Sequence, residues 1–155
     1  MHRKPLLIAL AGETDLRLLA HDAPGHMPRE VRHLTAADFP DVDKEFDAPP
    51  GRGHGAGGAG RHGFETATEQ AIERARFADH AAAALADAWA GGGYRGIVLA
   101  AGPKMLGALR DCLDQATVVH VLRQMPKDLV GVPLAENYRV MRFINATPEK
   151  DTPAE

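Results

Sequence analysis

The residues with the greatest capacity for chemistry lie in one glycine-rich stretch, Gly51 to Phe64, which reads Gly-Arg-Gly-His-Gly-Ala-Gly-Gly-Ala-Gly-Arg-His-Gly-Phe. Arg52, His54, Arg61 and His62 are its polar members. Glycine lets a backbone approach a ligand closely, and arginine makes forked, bidentate contacts with phosphate. The chemistry such a set supports is capture of an anion or of an RNA backbone. A second reading stays open beside it, a low-complexity linker of no fixed structure. The stretch is not a nucleotide-binding P-loop, because no Gly-Lys-Ser/Thr follows the glycines.

Other chemistries find less in the chain. His54, His62 and His80 are spaced unlike any zinc signature and have no cysteine near them. Asp41, Asp43, Glu45 and Asp47 alternate without the glycine and distal glutamate of a calcium loop, so they read as a solvated acidic stretch. The sequence contains no serine, and Cys112, its single cysteine, falls in a helical core pattern where a thiol is inert. Asp15, Glu65 and Asp128 are the carboxylates a ribonuclease-H-type metal enzyme would need, but nothing in the sequence gathers them. Lys104 follows a buried strand, the place where α/β sheets tend to bind ligands, and joins the anion-binding candidates. No metal and no cofactor are implied.

These residues need elements to position them. After the glycines, Ala71, Ala75, Ala78, Ala82, Leu85 and Trp89 recur in steps of four and three, which predicts a helix over Thr66–Trp89. Thr66 with Glu69 forms a capping-box signature at its start, and Gly91-Gly92-Gly93 ends it. Ile72, Phe77, Leu85 and Trp89 are its expected anchors. Before the loop, Leu6–Ala11, Leu16–Ala20 and a more polar Pro28–Leu34 read as three strands of a meander. After the helix come a buried strand Gly96–Ala101, a helix opened by Gly102-Pro103, a β-branched strand Thr117–Leu122 and a last helix Pro133–Phe143. The order is β-β-β, long loop, α-β-α-β-α. Hairpins in the first half imply antiparallel pairing and crossovers in the second imply parallel pairing, so an α/β fold with a mixed sheet is expected.

The organisation that follows is one α/β domain over residues 1–144, with a long flexible loop at 36–65 and a disordered tail at 145–155. The 155 residues fit one domain. A formal net charge of −3 argues against a uniformly basic nucleic-acid binder but leaves room for a local basic patch. One cysteine excludes an intramolecular disulfide framework. No apolar run approaches a membrane span, and Met1–Ala11 lacks the form of a signal peptide, so a cytoplasmic protein without membrane contact is expected. The alanine-rich helix faces could also serve a homodimer.

Three segments carry a resemblance to a known family. Leu7 to Ala20 resembles its opening hairpin. Gly102-Pro103-Lys104-Met105-Leu106-Gly107-Ala108-Leu109-Arg110 resembles its strand followed by P-x-x-L-G-x-L-R. Pro126-Lys127-Asp128-Leu129 with Pro133-Leu134-Ala135-Glu136 resembles its ending. The family is that of the bacterial host attachment proteins. It is similar in turn to the central domain of archaeo-eukaryotic peptide-release factors and Pelota-like rescue factors. That resemblance implies a mixed sheet of ribonuclease-H-like shape and a role near the ribosome. In release factors a Gly-Gly-Gln loop precedes a long helix. The matching place here, Gly60-Arg61-His62-Gly63-Phe64, has no glutamine, so hydrolysis of peptidyl-tRNA is not implied.

The expected function is therefore a non-catalytic binding module for RNA or the ribosome, with Arg52, His54, Arg61, His62 and Lys104 as its contacts. The alternatives are a protein-interaction factor needed indirectly for host-cell attachment, and a hydrolase using the glycine-rich loop as a lid.

Overall fold

The computed structural model describes residues 4–22, 26–42 and 59–136, with the backbone course alone over 59–66. Its centre is a five-stranded sheet in the order β3-β2-β1-β4-β5. The strands are β1 (Leu6–Ala11), β2 (Asp15–His21), β3 (Arg29–Thr35), β4 (Gly96–Ala101) and β5 (Val121–Met125). β1 and β4 are apolar at almost every position and buried on both faces, as runs of this kind require. β1 pairs with β2, and β2 with β3, antiparallel. β1 with β4, and β4 with β5, run parallel. The mixed sheet expected from the sequence is the one observed.

Two helices, α1 (Ala59–Ala90) and α2 (Pro103–Cys112), lie on one face. They bury Phe77, Ala78, Leu85, Met105 and Leu109 against Leu7, Ala9, Leu18, Ile97 and Leu99. The other face, built from Leu6, Ile8, Leu10, Leu19, Val98 and Ala100, receives Leu129, Val130, Val132 and Leu134 from the segment after β5. Arg17 fastens that segment. Its guanidinium donates to the carbonyls of Val130 at 3.1 Å and Val132 at 3.3 Å, and to Glu30 at 2.7 Å.

Several expectations need correction. The long helix begins at Ala59, not Thr66, so Thr66 and Glu69 stand inside it and make no N-terminal capping box. A helix once formed adds a hydrogen bond for each residue fixed, and glycines at 60 and 63 weaken that propagation without stopping it. Arg61 and His62 therefore belong to helical backbone, not to a loop. The stretch expected as loop 36–65 also starts in order. Ala36–Asp38 is a 3-10 turn closed by the Asp38 carboxylate on the Thr35 N–H at 2.8 Å, and Phe39 and Val42 pack into the core.

The β-branched run Thr117–Leu122 does not form a strand throughout. Gln115–Val118 is a short helix, α3, and β5 starts at Val121. Asp114 explains the difference, because its carboxylate accepts the Thr117 N–H at 2.9 Å as an N-cap. That cap outweighs the strand preference of Thr117 and Val118, and bonding from the Thr117 side chain, then from its backbone N–H, holds the Asp114 carboxyl below its usual range. Of the expected anchors in α1, Phe77 and Leu85 are buried and Trp89 is partly buried on His120, while Ile72 is exposed. The expected last helix makes its first turn at Pro133–Glu136. Its remainder and the tail at 145–155 lie outside the described residues.

His21 closes β2 and is fully buried, with Nε2 2.9 Å from the carbonyl oxygen of His26, to which it donates. Burial pushes its pKa below the ordinary 6.5, against smaller opposing effects from the His26 bond and Asp22. The folded chain thus favours neutral His21, and the unfolded chain takes up the proton first as pH falls. Stability should be full above the ordinary histidine value and decline as pH drops through and below it. Urea unfolding at stepped pH should show this decline, and His21→Gln should flatten it between about pH 7 and pH 5. An equally steep decline in the variant would assign the effect elsewhere.

Candidate functional site

The carboxyl ends of β1 and β4 form the most functionally suggestive region. These strands are parallel neighbours, yet their chains leave in opposite directions, β1 into the β2 hairpin and β4 into α2. Such a switch point is where open α/β sheets tend to bind ligands. Gly12 and Gly102 stand there, and the Asp128 side chain sits between them. A Cβ on Gly12 would stand 3.4 Å from an Asp128 carboxylate oxygen and 2.8 Å from the Val130 side chain, and one on Gly102 would stand 3.9 Å from the Asp128 Cβ. Asp128 accepts the Val130 N–H at 3.1 Å. Lys104, exposed in the first turn of α2, stands at the same end of the sheet.

The first half of α1 rises from this end. The helix runs from Trp89, stacked on His120 beside the start of β5, to Arg74, which meets Glu13 in the turn after β1. It therefore travels against β1 and passes their carboxyl ends. Residues 67–72 are all exposed, and Phe77 is the first buried side chain of the helix described. At 1.5 Å per residue, the backbone of Arg61 stands roughly 24 Å along the axis from Phe77. The base of this arm is braced. The Arg74 Nε donates to both Glu13 carboxylate oxygens at 2.9 Å. Arg76 donates to the Asp41 carbonyl at 3.2 Å and to Glu73 at 3.1 Å.

His80 adds a second brace. Its ring stacks on Phe39 with centroids 3.9 Å apart, and Nε2 lies 2.7 Å from an Asp41 carboxylate oxygen. That bond holds the Asp41 carboxyl below its usual range. Together these contacts fix the chain leading to residues 43–58 against the middle of α1.

Of the sequence-derived contacts, Lys104, Arg61 and His62 belong to one end of the molecule, Lys104 at the sheet and the other two on the helix that projects beyond it. The side chains of Arg61 and His62, and all of Arg52 and His54, lie outside the described residues. Among the carboxylates considered for metal chemistry, Asp15 approaches His33 at 3.9 Å and Asp128 lies beside Gly12 and Gly102 at the ends of β1 and β4. Among the described residues no three His, Cys, Asp or Glu side chains gather as a metal-holding group. Cys112 is half-buried, and burial raises its thiol pKa, with Asp79 and Asp111 adding to the effect.

The Glu13–Arg74 pair has no sign in the sequence, and Asp41 and His80, weighed there only as metal ligands, instead bond to each other. Arg74 and Glu13 are far apart in the chain and share no local pattern. Phe39, an aromatic beside an acidic stretch, was the one local signal that residues 36–42 pack.

Among the described residues no helix is long and apolar enough to cross a membrane. What the fold and site define is an α/β protein that projects a braced helical arm past the carboxyl ends of its parallel strands. The chain belongs to the family described as protein required for attachment to host cells, whose model matches residues 7–137. No curated protein matches it.

Proposed function

We propose that this chain is a non-catalytic RNA-binding module, with ribosomal RNA as its target class, and that α1 is the arm that brings Arg52, His54, Arg61 and His62 to it. The observation behind this reading is the placement of Arg61 and His62 on a helix that outruns its own core at the end of the sheet where Lys104 stands. A helix carries its first residues to a distance and at a fixed angle, which a linker does not. The mixed sheet, with a glycine-rich stretch leading into a long helix, fits the release-factor-like central domain that the sequence resembles. Under this reading the protein works in the cytoplasm, and its part in host-cell attachment is indirect.

Phosphate contacts make affinity fall with salt, with a slope of about −0.7 per phosphate for single strands. Filter binding of ribosomal RNA across roughly 50–200 mM salt should show that fall. Arg52→Ala with Arg61→Ala should weaken binding and flatten the slope by about 1.4, with the melting temperature unchanged. In lysate, the protein should sediment with ribosomes at low salt and leave them at moderate salt. Unchanged affinity in the double variant, or a protein that stays at the top of the gradient throughout, overturns the reading.

A further inference from the structure

β3 is unlike the other strands. It forms one margin of the sheet, and Arg29, Glu30, Val31, Arg32 and His33 are all exposed. Met27, just before it, and Val31 are among the few large apolar side chains left open to solvent. The pairing with β2 contains a bulge: Leu19 faces Glu30, Leu18 faces Arg32, and Val31 has no opposite residue.

The bulge decides where the charges point. In a regular strand, residues three apart face opposite sides. The extra residue resets the alternation, so Arg29, opposite Ala20, and Arg32, opposite Leu18, share the face that Leu18 turns toward α1. Glu30 and His33 fall on the other face, where Glu30 is held by Arg17 and His33 approaches Asp15. Arg17, Arg74, Arg76 and Arg110 all donate to identified partners, and Arg95 and Arg123 are engaged as well. Arg29 and Arg32 engage no described group. Two guanidinium groups without a described partner thus stand side by side along a strand edge that no described strand covers.

We propose that β3 is a docking edge that takes an acidic, extended segment of a partner protein as an added strand, with its carboxylates on Arg29 and Arg32. An edge strand offers a row of backbone donors and acceptors to such a segment, and side chains beside it set the choice of partner. Arginine gives those carboxylates forked contacts. Exposed Val31 and Met27 supply apolar contact for the alternate positions. β3 carries no Phe, Tyr or Trp, and its one aromatic ring, His33, lies on the face opposite Arg29 and Arg32, whereas a single-stranded nucleic acid site calls for rings beside its cations. Charge on an edge also guards against indiscriminate pairing, and a pair of arginines does so selectively, rejecting neutral and basic strands and admitting acidic ones.

The test uses the full chain and two fluorescein-labelled octapeptides, one alternating valine with glutamate and one alternating valine with lysine, read by fluorescence anisotropy. The glutamate peptide should bind and the lysine peptide should not. Arg29→Ala with Arg32→Ala should weaken the glutamate peptide roughly tenfold, the scale of two exposed ion pairs. Arg29→Glu with Arg32→Glu should reverse the preference and take the lysine peptide instead, a gain that an unfolded variant cannot show. No binding of the glutamate peptide, equal binding of both peptides, or no reversal in the charge-swapped chain overturns the proposal. So does an alanine variant that keeps the glutamate peptide and loses ribosomal RNA.

Discussion

Phe77→Ala should destabilise the protein by about 3–5 kcal/mol, the range for truncating a fully buried phenylalanine. Phe77 is the largest fully buried side chain among the described residues, it packs in the cluster between α1 and the sheet, and it meets Phe39 edge to face with centroids 6.3 Å apart. Removing the ring opens a cavity at the point where α1 leaves the core and withdraws the surface on which Phe39 rests. Ile72→Ala, more than one turn earlier, should change stability by no more than about 0.5 kcal/mol, because Ile72 is 46% exposed. Urea denaturation of the two variants gives the comparison directly. Similar losses would mean that the first half of α1 is packed, and the arm would cease to be one.

Arg17→Ala should be the costliest change to a charged residue, at roughly 2–3 kcal/mol. The Arg17 side chain is only 15% exposed and donates to two backbone carbonyls as well as to Glu30. Its loss strips Val130 and Val132 of a charged donor where they close the second face of the sheet. Glu30→Gln removes only the ion pair. Glu30 is 35% exposed on its side chain, so solvent screens the pair and the cost should stay under about 1 kcal/mol. Arg17→Lys should fall between the two, since an ammonium keeps the charge but loses the fork. Limited proteolysis should show the segment after β5 cut sooner in Arg17→Ala than in Glu30→Gln. Equal losses in the two variants would reduce Arg17 to an ordinary surface pair.

The parts of the fold legible in the sequence were those whose cause is local. Leu6–Ala11 and Gly96–Ala101 are uninterrupted apolar runs, and burial on both faces follows from that pattern alone. The turn that the sequence places at Gly12–Asp15, of which Asp15 already opens β2, and the stop at Gly91-Gly92-Gly93 were readable because glycine marks them, and Gly92 and Gly93 do adopt positive φ of 84° and 95°. The misreadings came where a non-local or competing effect decided. Ile72 fits the helical period as well as Phe77 does, but the sheet ends before it. Thr117 and Val118 look like strand until Asp114 caps them. For the candidate site, residue types were visible and their arrangement was not. Lys104 stands where a strand-end rule places it, while the Glu13–Arg74 brace and the Asp41–His80 bond join residues that only the fold brings together. The bulge at Val31, which turns Arg29 and Arg32 to one side, leaves no mark in the sequence.

The pairing of β1 has a consequence for the order of synthesis. Its antiparallel partner β2 follows at once, but its parallel partner β4 comes only after α1, so Leu6 waits for Gly96. Local pairings form early, and those that close long loops form late. During translation the β1–β2–β3 meander would therefore exist first with the β1 margin open, an apolar strand lacking its second neighbour, β4, and the helices that cover it. Such a margin is the feature of a nascent chain most prone to wrong association. The slow step in folding should be the arrival of Gly96–Ala101, and changes in β4 should depress yield in the cell more than their effect on the finished protein's stability would suggest.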